Sequence, residues 1–183
     1  DGSGNPAWAA SDMLSQAEHD EMASALLITN DKAFAHRVAR ELKRQIALLP
    51  KKDIAELALQ QYGAIIVTRD MKEAINIAND IAPEHLELFV KDPWKILPEI
   101  HNAGAVFLGY DTPEPVGDYI AGPNHVLPTG GTARFFSPPS VDDFLKKTSI
   151  LSFTPEAVNA IGRHAAVLAR AEALVAHARS VDM

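Results

Sequence analysis

The chain has 183 residues and a formal net charge of −7, with 47% apolar and 22% charged residues. This acidic balance, with no basic stripe to neutralise phosphates, speaks against a nucleic-acid partner. The lack of cysteine excludes disulfides, thiolate metal sites and a cysteine nucleophile, and suits a reducing, cytoplasmic setting. No apolar run reaches the ~18 residues of a membrane span, and no signal peptide is visible.

Asp1-Gly2-Ser3-Gly4 reads as a loop cut open, so a fragment of a longer chain is expected. Asn5-Pro6 supplies a helix N-cap and first position. The helix should run to about Glu18 or His19, with Trp8, Met13 and Leu14 buried. Gln16 and His19, three apart, share its C-terminal face. The amide oxygen and imidazole nitrogen suit either a metal site or a solvated helix end. Ala25–Thr29 reads as a buried strand. Asn30 or Asp31 then caps a long helix to about Leu49, with a core stripe of Phe34, Val38, Leu42 and Ile46. A helix from Asp53 to Tyr62 stops at Gly63, Ala64–Thr68 is a second strand, and Asp70 opens a helix that turns Ala74, Ile77, Ala78 and Ile81 inward. Glu84 and His85 are an adjacent pair fit for proton transfer, or else Pro83 starts a short helix with Glu84 in its first turn. Ala105–Leu108 is the third strand. Apolar strands alternating with helices predict an α/β fold with a mostly parallel sheet.

Gly117 to Gly131 holds four of the ten glycines, with Asp118 and His125 among them. Its glycines and prolines argue against a regular helix or central strand, and long irregular loops in compact domains are usually functional. A linker is the alternative, but Tyr119, Ile120, Val126 and Leu127 are more apolar than a linker needs. Val141–Lys147 is an edge segment or short helix and Ile150–Phe153 a possible strand. Thr154-Pro155 caps a helical tail to about Ser180 with Val158, Ile161, Ala165, Leu168, Ala171 and Val175 as its stripe, and Gly162 offers a point at which it could break into two helices. No phosphate-binding glycine motif and no nucleophile elbow is present. His36, His101 and His164 fit no motif.

Taken together, Asp12–His19, Ala82–Leu88, Pro113–Arg134, Ser140–Phe144 and Ala176–Val181 resemble the histidinol dehydrogenase family along the whole chain, as the C-terminal part, under half, of the family's length. The resemblance implies a partial Rossmann-like α/β domain over 1–132 and a mostly helical, dimer-forming extension over 133–183. It implies zinc held by Gln16, His19, Asp118 and His177, with the metal orienting L-histidinol. It makes Glu84 and His85 the acid–base pair, His85 for the first oxidation and Glu84 for the water that adds before the second. The substrate would meet Gln16, His19, His85, Asp118, His125, Glu172 and His177. Glu172 and His177 would act in the neighbouring subunit of a homodimer. The reaction converts L-histidinol, two NAD⁺ and water to L-histidine. The residues that contact NAD are expected outside this sequence, so the chain alone is expected to be inactive. The competing expectations are a non-catalytic zinc-binding or dimerisation module, and, more remotely, a zinc hydrolase, which lacks the H-E-x-x-H motif.

Overall fold

The computed structural model describes residues 1–181. The chain divides into two compact units, residues 1–143 and 144–183.

In the first unit, helix α1 (Pro6–Ala17) starts on Asn5, whose side chain accepts from the Ala7 N–H, and buries Ala9, Ala10, Met13, Leu14 and Ala17. Trp8, expected inside, is 50% exposed. The buried face is made of small residues that bring α1 close to its neighbour, and Trp8 falls on the opposite side. The helix ends one or two residues earlier than the sequence suggested. Strand β1 (Leu26–Thr29) follows. Asp31, not Asn30, caps helix α2 (Lys32–Ile46), accepting from the Ala33 and Phe34 N–H groups. Phe34, Val38 and Ile46 are buried as the four-residue spacing requires, with Leu42 partly buried beside them. Helix α3 (Lys52–Tyr62) and strand β2 (Ala64–Val67) complete a crossover. Gly63 ends α3 in an extended conformation, not a left-handed one. It is required for space, because a Cβ there would lie 2.6 Å from the Leu59 carbonyl oxygen.

Helix α4 (Met71–Ile81) is capped by Asp70 and buries Ala74, Ile75 and Ala78. Ala82, at φ 50°, closes it in the left-handed region. That turn releases the chain as a strand: β3 (His85–Leu88) occupies the segment that Pro83 offered as a helix start. The local acidic-first-turn signal was overridden by strand pairing. After helix α5 (Pro93–Ile96) comes β4 (Ala105–Leu108), the fourth strand where three were expected. β1 pairs with β2 and β3 with β4, both parallel, as two separate two-stranded sheets. β1, β2 and β4 are partly exposed, not fully covered as their unbroken apolar runs predicted. The fold is mixed α/β, with short parallel sheets and flanking helices.

The glycine- and proline-rich stretch opens inside a helix, α6 (Glu114–Tyr119), contrary to the expectation of a wholly irregular loop. Pro115 sits in its first turn, where the missing N–H costs nothing. Ile120 to Gly131 is irregular, and single helical turns follow at Thr132–Arg134 and Val141–Phe144.

In the second unit, Ile150–Phe153 forms no strand. Thr154 caps helix α7 (Pro155–Ala171), accepting from the Ala157 N–H. The break before helix α8 (Val175–Val181) falls at Ala173, φ 61°, not at Gly162. Gly162 is buried in mid-helix, where a Cβ would lie 3.4 Å from the Val181 carbonyl oxygen of α8. The expected stripe faces outward: Ile161 and Leu168 are exposed, while Gly162, Ala166 and Ala178 form the contact. Small residues win because two short helices can bury most backbone by close approach.

Candidate active site

Three elements of the first unit converge on one cavity of about 720 Å³. His85 is the first residue of β3. Gly104, before β4, approaches Glu84 so closely that a Cβ would lie 2.6 Å from its carbonyl oxygen, so only glycine allows this register. The His85 ring rests on Phe107 of β4, ring centres 5.9 Å apart. Phe107 in turn takes the space a Cβ of Gly117 would need, at 2.5 Å, which seats α6 against the sheet. α6 presents Glu114 and Asp118, four apart and therefore on one face. Asp118 Oδ1 is 3.4 Å and Glu114 Oε1 3.8 Å from His85 Nε2. That nitrogen is buried and has no hydrogen-bond partner, although its neighbours are acceptors. One ligand atom from each of His85, Glu114 and Asp118 lies within 4.8 Å of the others.

α1 supplies the opposite wall. Ser15 Oγ donates to Glu114 Oε2 at 3.2 Å, and Gln16 and His19 line the cavity together with Glu84, His85 and Glu114. Deeper in, Glu87 Oε1 accepts from the Glu114 N–H at 3.3 Å. Burial, reinforced by the neighbouring Asp12 carboxylate, raises the Glu87 pKa to about 8. Burial also raises Asp12, against a lowering hydrogen bond with Glu87, so the two share a proton near neutrality. Burial followed by the adjacent Asp118 carboxylate raises Glu114 as well.

Of the expected site residues, Gln16, His19, Glu84 and His85 open on this cavity, and Asp118 reaches it through His85. His125 is exposed on the irregular loop and does not line it. Glu172, at the end of α7, and His177, in α8, are exposed and belong to the second unit. The sequence reading missed Asp12, Ser15, Glu87 and Glu114. A signal was there in Glu114 and Asp118 at helical spacing, but it was hidden by the prolines and glycine around them.

The donors fit a divalent cation such as zinc, which takes imidazole nitrogen and carboxylate or amide oxygen. The His85–Glu114–Asp118 cluster shares only Asp118 with the expected ligand set, while Gln16 and His19 face the same cavity from the end of α1.

The arrangement defines a mixed α/β protein with a histidine–carboxylate centre at the end of a parallel strand pair. Comparison with known proteins names the group: the family model described as histidinol dehydrogenase matches residues 1–183, and the chain belongs to that family. It is 58% identical over 183 residues to the histidinol dehydrogenase of Geobacter sulfurreducens, covering 100% of this chain and 43% of that one. It is 56% identical to that of Caldanaerobacter subterraneus subsp. tengcongensis, again covering 100% and 43%. The crystal structure of histidinol dehydrogenase from Elizabethkingia anophelis superposes with a TM-score of 0.91 at 38% identity, over 98% of this chain and 41% of that one. The chain thus spans less than half the length of the relatives it matches.

Proposed function

We propose that this chain forms the metal-binding and proton-transfer part of a histidinol dehydrogenase, which oxidises L-histidinol to L-histidine with NAD⁺ in the last step of histidine biosynthesis. The observation that carries this reading is the convergence of α1, β3 and α6 on one cavity, with His85 Nε2 3.4 Å from Asp118. Gln16, His19 and Asp118 are the zinc ligands on this chain, and His177 completes the set from a partner subunit. Zinc supplies a fixed point that orients the substrate's nitrogens.

The remaining chemistry belongs to side chains. His85 is the base that removes the alcohol proton, since it lines the cavity and its Nε2 makes no hydrogen bond. Asp118 and Glu114 hold the imidazole in place and stabilise it once charged. Glu84, beside it in the cavity lining, activates the water for the second oxidation. Ser15 fixes Glu114, and the protonated Asp12–Glu87 pair spares the site one negative charge. His125 and Glu172 complete the substrate contacts, and the NAD contacts lie in the part of the family's chain outside this sequence. The enzyme works in the cytoplasm; among the described residues no helix is long and apolar enough to cross a membrane.

The test is NADH formation from L-histidinol. The purified chain should give none, and co-expression with the rest of a histidinol dehydrogenase should restore it. NADH formation by the chain alone would refute its inactivity, and zinc binding without restored activity in a stable assembly would favour a second reading. That reading is a zinc-binding or dimerisation module, favoured by the apolar surface of the second unit, where Ile150, Phe153, Leu168 and Val175 are exposed.

A further inference from the structure

We propose that Asp12 and Glu87 are positioning residues of this site. The hydrogen bond between their carboxyl groups, with the one from Glu87 to the start of α6, sets the distance of α1 from β3 and α6 and so holds Gln16 and His19 within reach of Asp118. The inference rests on the zinc reading above and adds two residues that act on the metal only through its ligands.

The need for such a tie follows from where α1 is packed. Ala9, Ala10 and Met13 meet Phe34 and Val38 of α2 and Ala25 before β1. Leu14 and Ala17 meet Ile46 of α2 with Ala55 and Ala58 of α3. Among the described residues, neither cluster includes one from β3 or α6, and Phe89, just past β3, only rests against the first. α1 therefore faces β3 and α6 across the cavity, which Asp12 and Gln16 line together with His85, Glu87 and Glu114. Burial of apolar area has no direction of its own. It seats α1 on α2 and α3 without fixing the width of this gap.

Three polar links span the gap instead. Ser15 Oγ of α1 donates to Glu114 Oε2 of α6 at 3.2 Å. Glu87 Oε1 of β3 accepts from the Glu114 N–H at 3.3 Å. The Asp12 and Glu87 side chains are hydrogen-bonded, joining α1 to β3. The links close a circuit through the three elements that carry the site. Asp12, Ser15 and Gln16 lie at spacings of three and four on one face of α1, so holding the first two holds Gln16. His19 follows through its N–H, which donates to the Gln16 carbonyl at 3.3 Å. On β3, Glu87 and His85 are two apart and share a face.

Glu87 also fills a place that its neighbours leave open. Glu114 is the first residue of α6, so its N–H has no partner within the helix. Pro113 before it gives no side-chain cap. Glu87 supplies that acceptor from the strand. Two carboxylates cannot bond to one another, so one of the pair carries a proton. Burial, with the Asp12 carboxylate beside it, raises Glu87 to about 8, in keeping with a proton held there at neutral pH. A glutamine can make the same two contacts without a proton, its amide donating to Asp12 and its carbonyl accepting from Glu114. An aspartate is shorter by one carbon–carbon bond, about 1.5 Å, and keeps the carboxyl but not the reach. The two substitutions therefore separate reach from charge.

The test uses this chain co-expressed with the unmatched remainder of the Geobacter sulfurreducens relative. Zinc affinity is read by isothermal titration, and the tie itself by hydrogen exchange of the Glu114 amide. Glu87→Asp should weaken zinc binding about tenfold or more, the worth of a group that orients a ligand. It should also speed Glu114 exchange by about tenfold or more, as local opening does. Glu87→Gln should keep both within about threefold of the parent, since its contacts are those of the protonated acid. Asp12→Ala should weaken zinc binding as Glu87→Asp does, and the double variant no further, because both act through one bond. Zinc affinity indifferent to Glu87→Asp, a loss as large in Glu87→Gln, a Glu114 amide that does not respond, or additive losses would each overturn the proposal. A parent assembly that binds no zinc while its Glu114 amide stays protected would instead remove the zinc reading, and the positioning role with it. If Asp12→Ala fails to fold, the contrast between Glu87→Asp and Glu87→Gln decides alone.

Discussion

His85 and Asp118 lie 3.4 Å apart, yet their proposed roles separate cleanly under substitution. In an assembly of this chain with the rest of a histidinol dehydrogenase, His85→Ala should cut NADH formation about 10²–10⁴-fold, the worth of a positioned base, with zinc affinity retained in isothermal titration. Asp118→Asn should lower zinc affinity itself. Equal loss of metal in both variants would make His85 a ligand and not a base. Glu87 carries a pH signature. Its folded pKa of about 8 exceeds its ordinary 4.5, so between those values the folded chain holds more protons than the unfolded one. Its contribution to stability is fully present below pH ~4.5 and is lost as pH rises to about 8. Glu87→Gln should therefore gain stability relative to the parent between pH 5 and pH 8, by up to a few kcal/mol at ~1.4 per pKa unit. Denaturation at those two pH values measures it, and a gain of the opposite sign would show that Glu87 is charged in the fold.

At the scale of elements, glycines of opposite meaning make a sharp comparison. Gly117→Ala drives a Cβ into the Phe107 ring at 2.5 Å and should cost about 1–3 kcal/mol by overpacking. Gly162→Ala meets nothing nearer than 3.4 Å in mid-helix and should stabilise α7 by up to ~1 kcal/mol. Urea titrations of the two variants should shift in opposite directions. Caps and amphipathic stripes made α1, α2, α4 and α7 legible in the sequence, because Asn5, Asp31, Asp70 and Thr154 act on backbone only a few residues away. β3 was not legible, since its strand character comes from pairing with β4 and nothing in Pro83-Glu84-His85 encodes that partner locally. The same limit hid Glu114 and Glu87. Glu87 owes its chemistry to burial against Asp12, a residue distant in sequence, and Glu114 owes its own to burial beside Asp118 and His85 once α6 is seated, whereas Gln16, His19, Glu84 and His85 stood out through their own spacing and resemblance.

For the whole molecule, the second unit leaves Ile150, Leu151, Leu168 and Val175 in solvent, while its internal contact uses only small residues. Such a surface, on α7, α8 and the segment before them, suits burial against another copy. Sedimentation should find a dimer, and Leu168→Glu should shift it toward monomer while the thermal transition of the first unit stays in place. A monomeric parent chain would remove the homodimer and with it the role of His177 in a neighbour's site.

The two strand pairs also differ in how far the chain must travel to make them. β3 meets β4 after one short helix, whereas β1 meets β2 only after two long ones, across roughly twice the sequence distance. Each doubling of a closed loop costs about 0.6 kcal/mol of chain entropy, so the β3–β4 half has the faster route to structure. Refolding followed by pulsed labelling should show Leu86 and Leu88 protected before Leu27 and Thr29. The strand that carries His85 would then be in place before α1 arrives with Gln16 and His19, making closure of the site the last event of folding and its loosening the first event of unfolding.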